Sequence, residues 1–330
     1  MIEEKIVLPE ILLWHWFAFV GLVAVLLALD LMVFHRHDHA PSIRESAGWT
    51  IFWFALAMAF NGFIWWWQGR QPAVEFLTGF IVELSLSIDN VFVFAVIFRY
   101  FNIPLKYQYR VLFWGILGAI VLRLLFVVLG SALIKHFEWI LPLFGVFLVY
   151  TAFRLALQSE KEVHPEKNLL LRLARRFFKV SKGDHREHGH AFFVMENDIF
   201  CFTPMFLVLL VVESTDVLFA VDSVPAIFGI TLNIFIIYTS NIFAILGLRA
   251  KYFLLAGMIE MFDYLHYGLS AVLGFVGLSM IGDWWFQPEG GHFIPTWVKL
   301  LIIAVILGIS IVVSIIVKKP EGGQETTSQG

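Results

Sequence analysis

The sequence contains a single cysteine and few charged residues. One cysteine, Cys201, excludes an internal disulfide and any metal or redox motif that needs several thiolates. Only 15% of the 330 residues are charged and 59% are hydrophobic, far from the composition of soluble domains. The mean hydropathy of +0.81 therefore indicates a polytopic membrane protein. The phosphate-binding string GxxxxGK[ST] is also absent, so we expect no ATP-driven step in this chain. We also predict that the protein is not an enzyme.

About 20 apolar residues are needed to cross a bilayer as an α-helix. We predict an all-α polytopic membrane protein, a single transmembrane domain, with nine spans at residues 11–34, 49–67, 74–98, 109–134, 138–157, 200–226, 234–260, 264–282 and 297–317. The first span is too long for a signal peptide and lacks a cleavage site, so it should remain in the protein. Residues 158–199 form a predicted hydrophilic loop, and residues 321–330 a disordered tail.

The distribution of Lys and Arg between the spans predicts the orientation. With the N-terminus outside, sixteen of these residues fall in inner segments and four in outer ones. The excess of positive charge marks the cytoplasmic side. We therefore expect the N-terminus outside and the C-terminus in the cytoplasm.

Two apolar stretches carry acidic residues at membrane depth. Phe80–Phe98 contains Glu83 and Asp89, and Leu209–Gly229 contains Glu213, Asp216 and Asp222. Each ionised carboxylate at the centre of a membrane helix costs about 2.5–3.5 kcal/mol on insertion scales, so such residues indicate a function. We predict that the two stretches face each other and form a cation site.

The two acidic stretches also belong to a predicted internal repeat. The string Glu83-x5-Asp89-Asn90-Val91 matches Asp216-x5-Asp222-Ser223-Val224 at an offset of 133 residues. Each repeat, residues 74–157 and 200–282, contains three spans, so the second copy enters the membrane in the opposite orientation. Inverted repeats place substrate sites near the bilayer midplane.

The spacing of the acids in the second stretch requires a bend. Glu213 and Asp216 share one helix face, but Asp222 lies about 120° round an ideal helix from Asp216. Pro225 deprives the Val221 carbonyl of its helical partner and favours a kink. We predict that this break turns Asp222 towards the other acids and presents the Val221 oxygen.

All the donors in these stretches are oxygen atoms, which favours Mg²⁺, Ca²⁺ or Mn²⁺ over zinc and copper. The candidate ligands are Glu83, Asp89, Asn90, Glu213, Asp216 and Asp222, with Thr215, Val221, Ser223, Pro225, Asn241, Arg123 and Arg249 in supporting positions. Spare negative charge would let protons replace the metal on the return step.

Structural ion pairs are the alternative interpretation of the acids. Arg123 and Arg249 lie within spans and need partners, and they would neutralise two carboxylates. For these arginines a helix clamp and a part in the transport cycle both stay open. Asp30 lies near the end of the first span, where we expect it to cap the helix at the interface.

Three stretches resemble a known family. DNVFVFAVIF (residues 89–98), VESTDVLFAVDSVPAIFGIT (212–231) and YTSNIFAILGLRAKYFLLAG (238–257) are similar to the signature stretches of the TerC/Alx family, and the resemblance runs from about residue 10 to 317. It implies a bacterial inner-membrane protein with paired acidic motifs, whose Alx-like members are associated with Mn²⁺ export.

The resulting prediction is an exporter of Mn²⁺ with membrane lipid, the divalent cation and protons as partners, and no nucleic acid. Export of Ca²⁺ and a non-transporting scaffold, docked through the 158–199 loop, are the alternatives. His35–His39 and Asp184–His190 are histidine-rich segments, for which solvation is the simpler interpretation than metal binding. Leu169–Val180 is a basic amphipathic stretch that we expect to lie on the inner leaflet.

Overall fold

The structure is a computed structural model, and it describes most of the apolar part of the chain. The described residues are 11–34, 42–137, 139–157, 171–172, 181, 191–196, 199–255, 265–286 and 292–317. Both histidine-rich segments, the predicted tail and nearly all of the basic amphipathic stretch lie outside them.

Ten helices and one hairpin make up the described structure. The helices are α1 Leu13–Phe34, α2 Ile43–Gln68, α3 Arg70–Tyr100, α4 Leu105–His136, α5 Ile140–Leu157, α6 Pro204–Phe228, α7 Ile234–Leu246, α8 Leu248–Leu255, α9 Leu265–Phe286 and α10 Thr296–Ile316. The strands β1 (Phe193–Glu196) and β2 (Ile199–Phe202) precede α6 and pair antiparallel, with Phe193 opposite Phe202. The predicted all-α polytopic architecture is confirmed.

Eight of the described helices are long and apolar enough to cross a membrane, and the bent pair α7 and α8 makes a ninth span if it is counted as one. The bend is 41° and lies at Gly247, between Leu246 and Leu248. The predicted seventh span at residues 234–260 is therefore a broken helix.

Two predicted details of the sixth span were wrong. Residues 199–202 form β2, so the span begins at Pro204, because proline fits the first turn of a helix, where its missing N–H has no partner to lose. The predicted break at Pro225 is also absent, since α6 continues through this proline to Phe228. The helix ends only three residues later, so the proline disturbs little more than the last turn.

The centre of the bundle consists of α3, α4, α6 and α7. In the most apolar 18-residue segment of α3, 61% of the residues are buried, against 17% in that of α2, so α3 is central and α2 peripheral. The helix α3 packs against α6 and α7, and α4 packs against the same two helices. The four acidic and basic side chains described below lie where these helices meet.

The other helices surround this centre. The helices α5 and α9 pack closely against each other where Gly145 faces Gly277. Glycine is needed at both positions, because an added Cβ would lie 2.7 Å from the backbone oxygen of the other glycine. On another side, α1 and α2 cover α7 through rings that include Phe19, Phe60 and Phe243.

The pairing of the helices agrees with the predicted repeat without proving it. The contact of α3 with α7 and the contact of α4 with α6 correspond to each other if α3–α5 and α6–α9 are equivalent units. The inverted symmetry itself stays a prediction.

Candidate functional site

The best-defined part of the candidate site is a buried ion pair between α3 and α4. Arg123 Nη2 lies 2.5 Å from Glu83 Oε1, and the two residues are only 4% and 1% exposed. Arg123 Nη1 also donates to Asn241 Oδ1 on α7 at 2.5 Å. The Asn241 amide in turn donates to the Ile237 carbonyl at 2.9 Å. One guanidinium therefore connects three helices at the centre of the bundle.

Two carboxylates of α6 lie beside this pair. Asp216 is 7% exposed and interacts electrostatically with Glu213, Arg123 and Glu83. Within the described part of the chain, neither Glu213 nor Asp216 receives a hydrogen bond or an ion pair. The spacing of three residues places both carboxylates on one face of α6, as predicted.

A glycine on α4 makes room for one of these carboxylates. A Cβ at Gly118 would overlap both carboxylate oxygens of Glu213. Any larger residue here would force the Glu213 side chain to move, so the present position of this carboxylate depends on the glycine.

Glu83, Arg123, Glu213 and Asp216 form a charged centre, to which the structure adds Lys251. The sequence had suggested no role for this lysine. Lys251 is 6% exposed, and its Nζ donates to the Ala244 carbonyl at 2.7 Å, across the bend between α7 and α8. Carbonyls in the last turn of a helix lack helical partners, so the lysine caps this break. Lys251 also interacts electrostatically with Glu83. A lysine within an apolar span was the available signal.

Asp222 lies in a different environment. Its Oδ1 accepts a hydrogen bond of 3.2 Å from Thr151 on α5, and Arg154 contributes electrostatically. The predicted turn of Asp222 towards the other acids is therefore wrong in this structure. Asp89 is half-buried and lies six residues beyond Glu83, about 9 Å along α3.

The remaining predicted supporting residues have mixed positions. Asn90 and Ser223 are buried, whereas Val221 is 37% exposed. The Thr215 hydroxyl donates to the Val211 carbonyl at 2.7 Å, within its own helix. Pro225 is buried near the end of α6.

Arg249 does not join the charged centre but anchors the first helix. It forms an ion pair with the Asp30 carboxylate, and its Nη2 donates to the Asp30 carbonyl at 3.1 Å. Asp30 is 3% exposed, so the prediction of an interfacial cap was wrong. The reason is that α8 brings a buried guanidinium to this position, and a buried cation needs an anion.

The described residues do not form a preformed metal site with acidic ligands alone. Among the residues described, no group of three or more His, Cys, Asp or Glu side chains is arranged to hold a metal ion. Glu83, Glu213 and Asp216 are electrostatically linked, but Arg123 lies among them. The six-residue ligand set stays a prediction.

These features define a multi-pass α-helical membrane protein with a charged centre buried among its spans. Residues 68–322 match the profile of the family described as "Integral membrane protein TerC family". The chain belongs to that family.

Several relatives are similar over most of their length. An uncharacterised membrane protein of Myxococcus xanthus is 48% identical over 91% of this chain and 92% of its own. Proteins named "Putative membrane-bound redox modulator Alx" are 44% identical in Salmonella typhi, over 92% and 94% of the two chains, and 46% identical in Escherichia coli K12, over 82% and 85%. No solved structure matches the chain.

Proposed function

We propose that this protein is a secondary transporter that exports Mn²⁺ across the bacterial inner membrane through the charged centre of α3, α4, α6 and α7. The observation that carries the proposal is the pair of half-buried Glu213 and buried Asp216, two carboxylates without a hydrogen-bond or ion-pair partner in the described structure. The desolvation of an unpaired carboxylate costs roughly several kcal/mol of free energy, so we expect a cation to bind beside it.

The donor atoms support a hard cation as the cargo. Glu83, Glu213 and Asp216 offer only oxygen ligands, which Mn²⁺, Mg²⁺ and Ca²⁺ prefer. The choice of manganese rests on the family resemblance, with Ca²⁺ as the competing cargo. Protons that exchange with the metal at these carboxylates are the proposed counter-ion, with the N-terminus outside and the C-terminus in the cytoplasm.

The name of the Alx relatives concerns redox rather than transport. This chain has one cysteine, buried in β2, so it cannot form an internal dithiol pair. Transport of a redox-active cation through carboxylates would reconcile that name with this site. The alternative proposal is a membrane scaffold that docks partners through residues 158–199.

Flux measurements in liposomes test the proposal. Purified protein should carry Mn²⁺ down its gradient, and Asp216→Asn should abolish the flux, because the loss of one charged ligand costs about 2–5 kcal/mol of binding. Glu196→Gln is the matched control, since Glu196 lies in the hairpin, outside the spans.

The same assay separates the alternatives. Absence of Mn²⁺ flux in native protein would contradict the transport proposal and favour the scaffold, for which deletion of the 158–199 loop should do more harm than neutralisation of the acids. Inhibition of Mn²⁺ flux by equimolar Ca²⁺ would identify calcium as a competing cargo.

A further inference from the structure

The guanidinium of Arg123 is bound to Glu83, one of the carboxylates that the proposed cargo requires. It contacts Glu83 Oε1 at 2.5 Å and lies within electrostatic range of Asp216. A divalent cation would bind carboxylate oxygens at about 2.1–2.6 Å. The same Glu83 oxygen cannot accept the guanidinium and coordinate a divalent cation without strong repulsion between the two positive groups.

The structure also offers the guanidinium a second anchor. Nη1 contacts Asn241 Oδ1 at 2.5 Å while Nη2 contacts Glu83, so each arm of the planar group has its own partner. Asn241 is 0% exposed and is held by the Ile237 carbonyl. The arm on Glu83 can therefore withdraw while the arm on Asn241 keeps the side chain in place.

Lys251 is a second cation near Glu83, but it is less suited than Arg123 to compete with the cargo for this carboxylate. Its ammonium donates to the Ala244 carbonyl, and no carboxylate in the described residues lies in hydrogen-bond contact with it. Its position at the bend between α7 and α8 explains its burial without a part in cation exchange.

We propose that Arg123 is an internal competitor of the cargo cation. In the empty protein it neutralises Glu83, and when a divalent cation binds Glu83, Glu213 and Asp216 its Nη2 arm leaves Glu83 while Nη1 keeps its contact with Asn241. The inference rests on the proposed function and adds the regulation of the same site.

A titration with Mn²⁺ tests this inference. Free Mn²⁺ is measured by its electron paramagnetic resonance signal in the presence of detergent-solubilised native protein, Arg123→Gln or Arg249→Gln. Removal of the competing charge in Arg123→Gln should tighten Mn²⁺ binding by about tenfold or more. Arg249→Gln is the matched control, because it removes an equally buried arginine outside the charged centre and should leave the dissociation constant unchanged.

A second variant keeps the test decisive if Arg123→Gln does not fold. Arg123→Lys retains the charge but cannot bridge Glu83 and Asn241 with a planar fork, so it should bind Mn²⁺ more tightly than native protein and less tightly than Arg123→Gln.

The outcomes separate this inference from the proposed function. If native protein binds Mn²⁺ and the folded Arg123 variants bind it equally or more weakly, the competitor role is overturned while transport stands. If neither native protein nor the folded Arg123 variants bind Mn²⁺, both proposals fail.

Discussion

The two buried arginines lie one in each predicted repeat but contact different parts of the molecule. Arg123 joins α4 to α3 and α7 at the charged centre, through Glu83 and Asn241. Arg249 joins α8 to Asp30 of α1, a helix outside the repeats. Burial of the charge is the same in both cases, so the partner determines whether an arginine serves a site or an anchor.

The comparison also separates the two kinds of acidic residue. Glu83 and Asp30 are each bound to a guanidinium, as the structural interpretation of the acids requires. Glu213 and Asp216 have no such contact among the residues described. The ion-pair alternative thus accounts for two carboxylates, and a cation remains the best explanation for the other two.

The largest expected effect follows from breaking the pair at the charged centre. Glu83→Gln leaves the Arg123 guanidinium buried without its anion, which should lower the free energy of unfolding by about 3–5 kcal/mol. The double variant Glu83→Gln with Arg123→Gln removes both charges and should recover most of the loss. Denaturant unfolding in detergent measures both, and a double variant no more stable than the single one would contradict the pairing.

A slightly smaller loss of stability is expected at the anchor. Asp30→Asn removes the carboxylate opposite Arg249, but the Asp30 carbonyl still accepts from Nη2, so we expect a loss of about 3 kcal/mol. The Mn²⁺ dissociation constant of the folded protein should not change. A change as large as that of Arg123→Gln would show that the two arginines act together and would remove the distinction.

The smallest effect concerns the space around Glu213. Gly118→Ala introduces a methyl group against the Glu213 carboxylate, and because this carboxylate is the end of a flexible side chain that can move, the loss of stability should be smaller than the ~1–3 kcal/mol of overpacking in a core. Mn²⁺ binding should weaken, because Glu213 moves away from Asp216. Gly48→Ala in α2 is the matched control, since no atom lies within 4 Å of its Cβ, and unchanged Mn²⁺ binding in both variants would exclude Glu213 from the site.

Composition and motifs predicted the class of the protein and the acids at its centre. Hydropathy locates the spans because a membrane helix requires a long apolar run, and the spacing of Glu213 and Asp216 places both on one helix face. The family assignment followed from the 212–231 and 238–257 stretches and was confirmed over residues 68–322.

The contacts between helices that are distant in the chain could not be predicted from the sequence. Glu83 and Arg123 are 40 positions apart, and the choice of Arg123 over Arg249 depends on the rotation of each helix in the bundle. Asp30 was misassigned for the same reason. A break was expected in the sixth span at Pro225, but the helix continues there. The seventh span bends instead, at Gly247, where Lys251 caps the Ala244 carbonyl. The hairpin was missed because most of β2 was assigned to the start of the sixth span, and β1 to the end of the hydrophilic loop.

The position of bound manganese tests the account most directly. In crystals of the native protein soaked with Mn²⁺, anomalous scattering at the manganese edge should give a peak between Glu83, Glu213 and Asp216, with the Arg123 guanidinium turned away from Glu83 and still bound to Asn241. A peak only at Asp89, Asp222 or the histidine-rich segments, or Arg123 still bound to Glu83 beside an occupied site, would contradict it.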